Sequence, residues 1–378
     1  MYATIGLKGE SLHTLSNSVG EFDFFIPQQY RNDTIVISMM GYKNHFYLVQ
    51  DLLAREAKNA QGTILMNKAE KVLDEVIIKH SLTGSDIVRI AINKIEENFP
   101  MDPFLLDGFY RDLKKVGGSY YSLLEAAVKI HDEDYVSPRN KNRLRERVGL
   151  VAIRKSLGYD NARYERYFEQ KNLLENLLLQ NDVRYRSFPA QESDFYADFK
   201  RVKVTYYNEH RVYVVERSTP NRFTRIYVDT DTYAMVRIEE EELFPNSIER
   251  KKRKNVSKHI SEKKIVDFRE YQGKMFMNYM TMESQVNWYH AKTGELRFET
   301  EIIQELLINQ VFPNTDERIK GTQKMRKYGL QYQQEGYNKQ FWDSYNVIKD
   351  TPLNAEIVRD LEREDGDLQA QFEREYKP

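Results

Sequence analysis

The chain of 378 residues contains no cysteine. Disulfides, thiolate nucleophiles and zinc sites built on sulfur are therefore excluded. The compartment stays open, because a cysteine-free chain suits oxidising and reducing surroundings alike. No apolar run approaches the roughly eighteen residues of a membrane-crossing helix. No Gly-x-Ser-x-Gly elbow, no HExxH and no glycine-rich loop continuing into Lys and Ser or Thr is present, which removes the usual signatures of serine hydrolases, zinc proteases and phosphate-binding loops. Excess charge of either sign is also missing. A net charge of −1 lacks the basic surplus by which a dedicated nucleic-acid binder displaces counterions.

What is present is an ordinary globular composition, 40% hydrophobic and 30% charged, in a chain long enough for two or three domains. Its start is strand-like. Tyr2 to Lys8 alternates, a turn follows at Ser16 to Gly20, Glu21 to Ile26 reads as a second strand, and Thr34 to Ser38 as a third, closing at Gly41-Tyr42. Residues 51–80 form a linker in which Val72 to Ile78 has the β-branched run of a strand. Ser81 to Asn98 is the clearest helix, with Ser85 as N-cap and Ile87, Val88, Ala91, Ile92 and Ile95 on one stripe. Pro100 and Pro103 end it.

Beyond it the texture turns to β. Phe104 to Lys115 and Tyr120 to His131 flank Gly117-Gly118, a hairpin signal. Asn142 to Leu157 reads as a strand and Phe168 to Leu179 as an amphipathic helix. Phe195 to Glu242, then Lys263 to Tyr271, Lys274 to Tyr289 and Glu295 to Leu307 form a meander with short turns, which predicts an antiparallel sheet. Asn354 to Arg363 is helical and charged, and Glu364 to Pro378 is expected to fray.

The residues Ala3-Thr4-Ile5, Gly20-Glu21-Phe22, Ile35 to Ser38 and Gly41-Tyr42-Lys43 resemble the carboxypeptidase-regulatory-like domain of Bacteroidetes envelope proteins. That resemblance implies a transthyretin-like β-sandwich whose first strand is missing, so that the start reads as truncated or internal. It also implies a periplasmic or outer-membrane-associated setting, although no signal peptide is visible. The hairpin around Tyr227-Val228-Asp229, Thr232-Tyr233-Ala234 and Arg237-Ile238 is similar to the LolA-like half-barrels. The expected fold is α+β and β-rich: a truncated β-sandwich at 1–50, a linker at 51–80, a larger domain at 81–350 with a curved, mostly antiparallel sheet and covering helices, and a charged helical tail at 351–378.

A helix lying across such a sheet makes an apolar space. Leu173 and Leu177 of the helix, with Met275, Met277 and Met280 of one strand, are the candidate groove for an acyl chain or lipidated peptide; ordinary core packing is the stronger reading. His259 and Glu262 have the first spacing of a zinc carboxypeptidase, but in a charged stretch read as solvated, so no metal and no cofactor is expected. His131 to Asp134 and Asp229 to Asp231 read as polar hairpin ends. The runs Glu239 to Glu242 and Lys251 to Lys254 read as solvated loops whose opposite charges cancel. The resulting expectation is a non-catalytic envelope binding or scaffold protein, partnered by an envelope protein. A carrier or receptor for an apolar ligand comes second and a metal-dependent peptidase last.

Overall fold

In a computed structural model, the described residues are 2–17, 19–56, 63–69, 82–160, 165–168, 173–188, 198–247, 249–320, 329–333, 336–344 and 355–374. They form an α+β, β-rich fold with two antiparallel sheets. The strand expected at 72–78 lies outside the described residues.

The small sheet comprises β1 (Thr4–Leu7), β2 (His13–Leu15), β3 (Thr34–Ser38) and β4 (His45–Leu48), in the order β2-β1-β3-β4. The strand expected at Glu21 to Ile26 is absent; that segment is irregular, and β2 pairs with β1 instead. Phe22, Phe24 and Ile26 still alternate, but they do so by packing on the core of Ile5, Leu7, Ile35 and Ile37 rather than by joining the ladder. Helix α1 (Val49–Glu56) follows β4 directly.

Helix α2 (Gly84–Asn93) starts at Thr83, not at Ser85. The Thr83 side chain accepts from the Asp86 amide, and the Asp86 carboxylate accepts from the Thr83 amide in return. Its start also lies hard against the chain at Phe199: a Cβ added to Gly84 would sit 2.4 Å from the Phe199 carbonyl oxygen. The expected stripe of Ile87, Val88 and Ala91 is buried, and Ile95 continues it on α3 (Ile95–Asn98).

The large sheet runs β5 (Phe104–Val116), β6 (Ser119–Asp132), β7 (Arg147–Lys155), β8 (Lys200–Tyr207), β9 (His210–Ser218), β10 (Arg222–Asp229), β11 (Met235–Leu243), β12 (Arg250–Lys252), β13 (Asn255–Tyr271), β14 (Lys274–His290) and β15 (Leu296–Pro313). In space the order is β7-β6-β5-β15-β14-β13-β11-β10-β9-β8, with β12 added alongside β13. Gly117 and Gly118 both take positive φ in the β5–β6 turn, as a two-residue hairpin requires. β13 begins eight residues earlier than the pattern at Lys263 predicts, because its polar first half is held by β14 and β12 rather than by burial.

Strand β6, next to the edge strand β7, is covered on both faces, which is why it is buried over almost its whole length. On one face Leu124, Ala126, Val128 and Ile130 meet α2 and two short helices, α4 (Leu173–Leu178) and α5 (Asp182–Tyr185). On the opposite face Leu123 and Leu113 meet Ile357, Leu361, Leu368 and Phe372. Those four belong to α7 (Ala355–Asp365) and α8 (Leu368–Glu373), which follow α6 (Lys339–Ser344). The fraying expected from Glu364 is therefore corrected over 368–373: Leu368, Gln371 and Phe372 are buried, and Asp367 caps the helix through the Ala370 amide.

Candidate functional site

The five groove candidates share one extended apolar cluster without being neighbours: Leu173 lies beside Gln304, which stands opposite Met282, seven positions along β14 from Met275, while Met277 lines a cavity with His13 and Arg269. Leu173 and Leu177 on α4 and Met275, Met277 and Met280 on β14 are all buried in the same apolar cluster. α4 packs directly against β14 and β15, and the Gln304 amide of β15 donates to the Leu173 carbonyl at 2.9 Å.

The most distinctive polar geometry lies on the opposite face, where the small sheet docks on the large one. Thr4, Gly6, His13 and Leu15 share the docking side. Leu15 packs with Phe109, Tyr279 and Leu307, and the Ser11 hydroxyl donates to the Val311 carbonyl at 2.9 Å. The Gly41 amide donates to the Tyr206 carbonyl at 2.7 Å, tying the other end of the module to β8. Between these anchors run two cavities of about 10 and about 20 Å³. A cavity of that size admits roughly one water molecule and nothing larger.

The seam is polar. Asp267 is held by Arg237 at 3.3 Å and by the Asn278 amide at 2.9 Å. Arg269, two residues on, forms no ion pair among the described residues, and burial lowers its pKa. The His13 Nδ1–H donates to the Ser11 carbonyl, while its Nε2 meets no partner within hydrogen-bond geometry. Burial, reinforced by the neighbouring Arg269 charge, pushes the His13 pKa down to about 3 and keeps the ring neutral.

Beside the seam, on the same face, Arg111 and Glu125 are 1% and 0% exposed and pair at 2.7 Å, with Arg154 on the other carboxylate oxygen. Glu305 lies 3.7 Å from Arg111 and accepts from the Tyr279 hydroxyl at 2.8 Å. On the helix-covered face, Lys264 bridges Asp182 at 2.6 Å and Glu240 at 2.7 Å, and Arg184 grips Asp132. Tyr110 donates to Asp112, whose pKa burial pushes up to about 7. Glu146, accepting from Tyr185, is raised to about 7 chiefly by burial, with Asp132 adding to it.

These networks correct three expectations. The Glu239–Glu242 run is not a solvated loop: it lies in β11, where Glu239 takes Arg225 and Arg237, and Glu240 takes Arg222 and Lys264. Asp132 is a buried partner of Arg184 rather than part of a polar hairpin end. His259 sits in β13, not in a solvated stretch. A bulge between His259 and Ser261 turns His259 and Glu262 to the same side, 3.3 Å apart. No third His, Asp or Glu joins them within ligand reach among the described residues.

One such triplet exists elsewhere: His210, Asp229 and Asp231 have potential ligand atoms all within 4.8 Å of one another. Asp229, however, spends one carboxylate oxygen on the Asp231 and Thr232 amides and the Thr232 hydroxyl, which closes the β10–β11 turn. Its other oxygen faces His210 at 3.2 Å. Two of the triplet's three members, Asp229 and Asp231, thus belong to the hydrogen bonding of the turn itself.

No protein-family model and no curated protein matches the chain. Among solved structures, one of lipovitellin, described as showing lipid–protein interactions, is similar at 9% identity and a TM-score of 0.26. The match covers 60% of this chain and 27% of that one. Likeness at that level carries no argument about ligand or activity.

The seam residues His13 and Arg269 and the Arg111–Glu125 pair went unnoticed in the sequence. For Arg111 and Glu125 the local signal is a charged side chain whose strand neighbours two residues away are apolar, Phe109 and Leu113 or Leu123 and Ala127; His13 and Arg269, two residues from Ser11 and Asp267, carry no such signal.

Proposed function

We propose that this chain is a non-catalytic binding or scaffold protein of the cell envelope that presents its N-terminal module to a protein partner. The observation supporting the reading is where the apolar surface lies. Val19, Phe25, Phe46, Leu48, Leu53 and Leu65 are exposed on the module and its flank, with Phe46 and Leu48 at 46% and 41% on one side of β4. β4 is the outer strand of the small sheet, so these side chains project beyond the docked part of the module. Phe46 and Leu48, adjacent on one side of this outer strand, form a paired apolar surface of the kind that marks interaction sites more often than single scattered residues do. The seam supplies the other requirement of a scaffold, a fixed orientation of module against sheet.

The test is stoichiometric co-purification from envelope fractions, with the full chain and with Phe46→Ser/Leu48→Ser. A defined partner retained by the parent and lost by the variant, at unchanged thermal melting, supports the reading. Equal retention by the variant, or no stoichiometric partner in any envelope fraction, overturns it.

A further inference from the structure

From the sequence, the acidic run at 239–242 cancels the basic run at 251–254. The fold separates them. Glu239 and Glu240 are consumed inside the sheet by Arg222, Arg225, Arg237 and Lys264, while Glu241 and Glu242 stand in β11 opposite Lys263 and Glu262, away from the basic run. The basic run, extended by Arg250, becomes β12 and its turn into β13, with every residue from Arg250 to Lys254 exposed. The turn between β14 and β15 lies against it, the Ala291 amide donating to the Lys254 carbonyl at 2.8 Å, and brings in exposed Lys292. Lys251, Arg253, Lys254 and Lys292 form no ion pair among the described residues, whereas Lys258 is matched by Glu249 at 3.0 Å.

An apolar row adjoins these charges. The strand register places Lys251, Val256, Tyr289 and Leu296 side by side on one face across β12, β13, β14 and β15. Leu296 is 51% exposed, and Lys258 lies over the Tyr289 ring. Cations at a tip with an aromatic and an aliphatic side chain just behind them match a bilayer interface. Basic side chains there meet anionic headgroups, and tyrosine and leucine reach the boundary below.

We propose that the β12–β13 and β14–β15 turns form a docking tip for an anionic phospholipid surface. This stands independently of the partner proposed for the N-terminal module. A membrane fits better than a nucleic acid because the chain as a whole is not basic and because Leu296 and Val256 offer nothing to a phosphate backbone.

The test is co-sedimentation of the full chain with phosphatidylcholine vesicles, with and without phosphatidylglycerol, at low and high salt, beside binding of a short DNA duplex. Binding should require phosphatidylglycerol and fall at high salt. Lys251→Gln/Arg253→Asn/Lys254→Gln should weaken it by roughly a hundredfold, about fivefold for each cation. Asn is chosen at 253 because Arg253 has a φ of +58°. Leu296→Ser should weaken vesicle binding, and circular dichroism should show every variant folded. If the triple variant does not fold, Lys292→Gln and the salt dependence of the parent chain give the same reading. Equal binding to both vesicle types, no binding to either, unchanged binding by folded variants, or tighter binding to the duplex overturns the proposal.

Discussion

Replacing Asp112 with Asn is expected to stabilise the protein, and only above mildly acidic pH. Asp112 lies fully buried on β5 with the Tyr110 hydroxyl donating to it; burial is the main cause raising its pKa, Lys114 opposes the rise and Glu165 adds to it. Its pKa moves from 3.8 to about 7. Between those values the folded chain holds a proton that the unfolded chain has released. Stability therefore falls as pH rises through that window and is level above it. At about 1.4 kcal/mol per pH unit, the full window amounts to an upper figure of about 4 kcal/mol.

Asn keeps the neutral shape and removes the titration. The Asp112→Asn chain should match the parent near pH 4 and exceed it by about 2–4 kcal/mol at pH 8. Urea unfolding followed at several pH values in that range measures it. Glu146 titrates over a similar window, so the difference between variant and parent, not the parent curve alone, is the reading. A difference that stays flat with pH, or a variant less stable at pH 8 than at pH 4 relative to the parent, refutes the reasoning.

Three further outcomes follow from the same geometry. Arg111→Met should cost about 3–5 kcal/mol by leaving Glu125 and Glu305 short of a cation, and Arg111→Met/Glu125→Leu should cost less than the two single changes added together, as a double-mutant cycle will show. Gly84→Ala should lower stability by about 1–3 kcal/mol in thermal or urea melts, because its Cβ collides with the Phe199 backbone and forces α2 off β8. His13→Asn should flatten the acid limb: with the His13 pKa depressed to about 3, the parent is expected to lose stability as pH falls from 6.5 towards 3, and a variant with the same acid limb contradicts this.

What the sequence discloses here is local order. The stripe of Ile87, Val88 and Ala91 finds α2, and Gly117-Gly118 finds the β5–β6 hairpin, because periodicity and turn chemistry act within a few residues. β2 shows no such sign: His13-Thr14-Leu15 becomes a strand only because β1 and the large sheet surround it. The polar seam and the fate of the acidic run are likewise settled by register between distant segments. Lys264 meets Glu240 across twenty-four positions and Asp182 across eighty-two, and composition alone cannot assign such pairs.

Those pairs give the long sheet something that its apolar pattern lacks. Side chains alternate between faces, so a two-residue slip of β13 against β11 keeps every apolar residue on its own face while moving the strand by about 7 Å. Charge breaks that degeneracy. Glu240 stands opposite Lys264 in the native register; a slip in one direction sets it against Glu262, and in the other against Val266. One alternative buries like charges and the other strands a buried carboxylate, and Asp182 loses its partner in both. Lys264→Met should therefore cost about 3–5 kcal/mol and, beyond that, loosen the register itself. Amide exchange should accelerate across β11 and β13 more than across the β9–β10 pair, which the substitution does not touch. Uniform acceleration over all four strands would mean that Lys264 adds stability without fixing alignment, and an unchanged melt would mean that the bridge does neither.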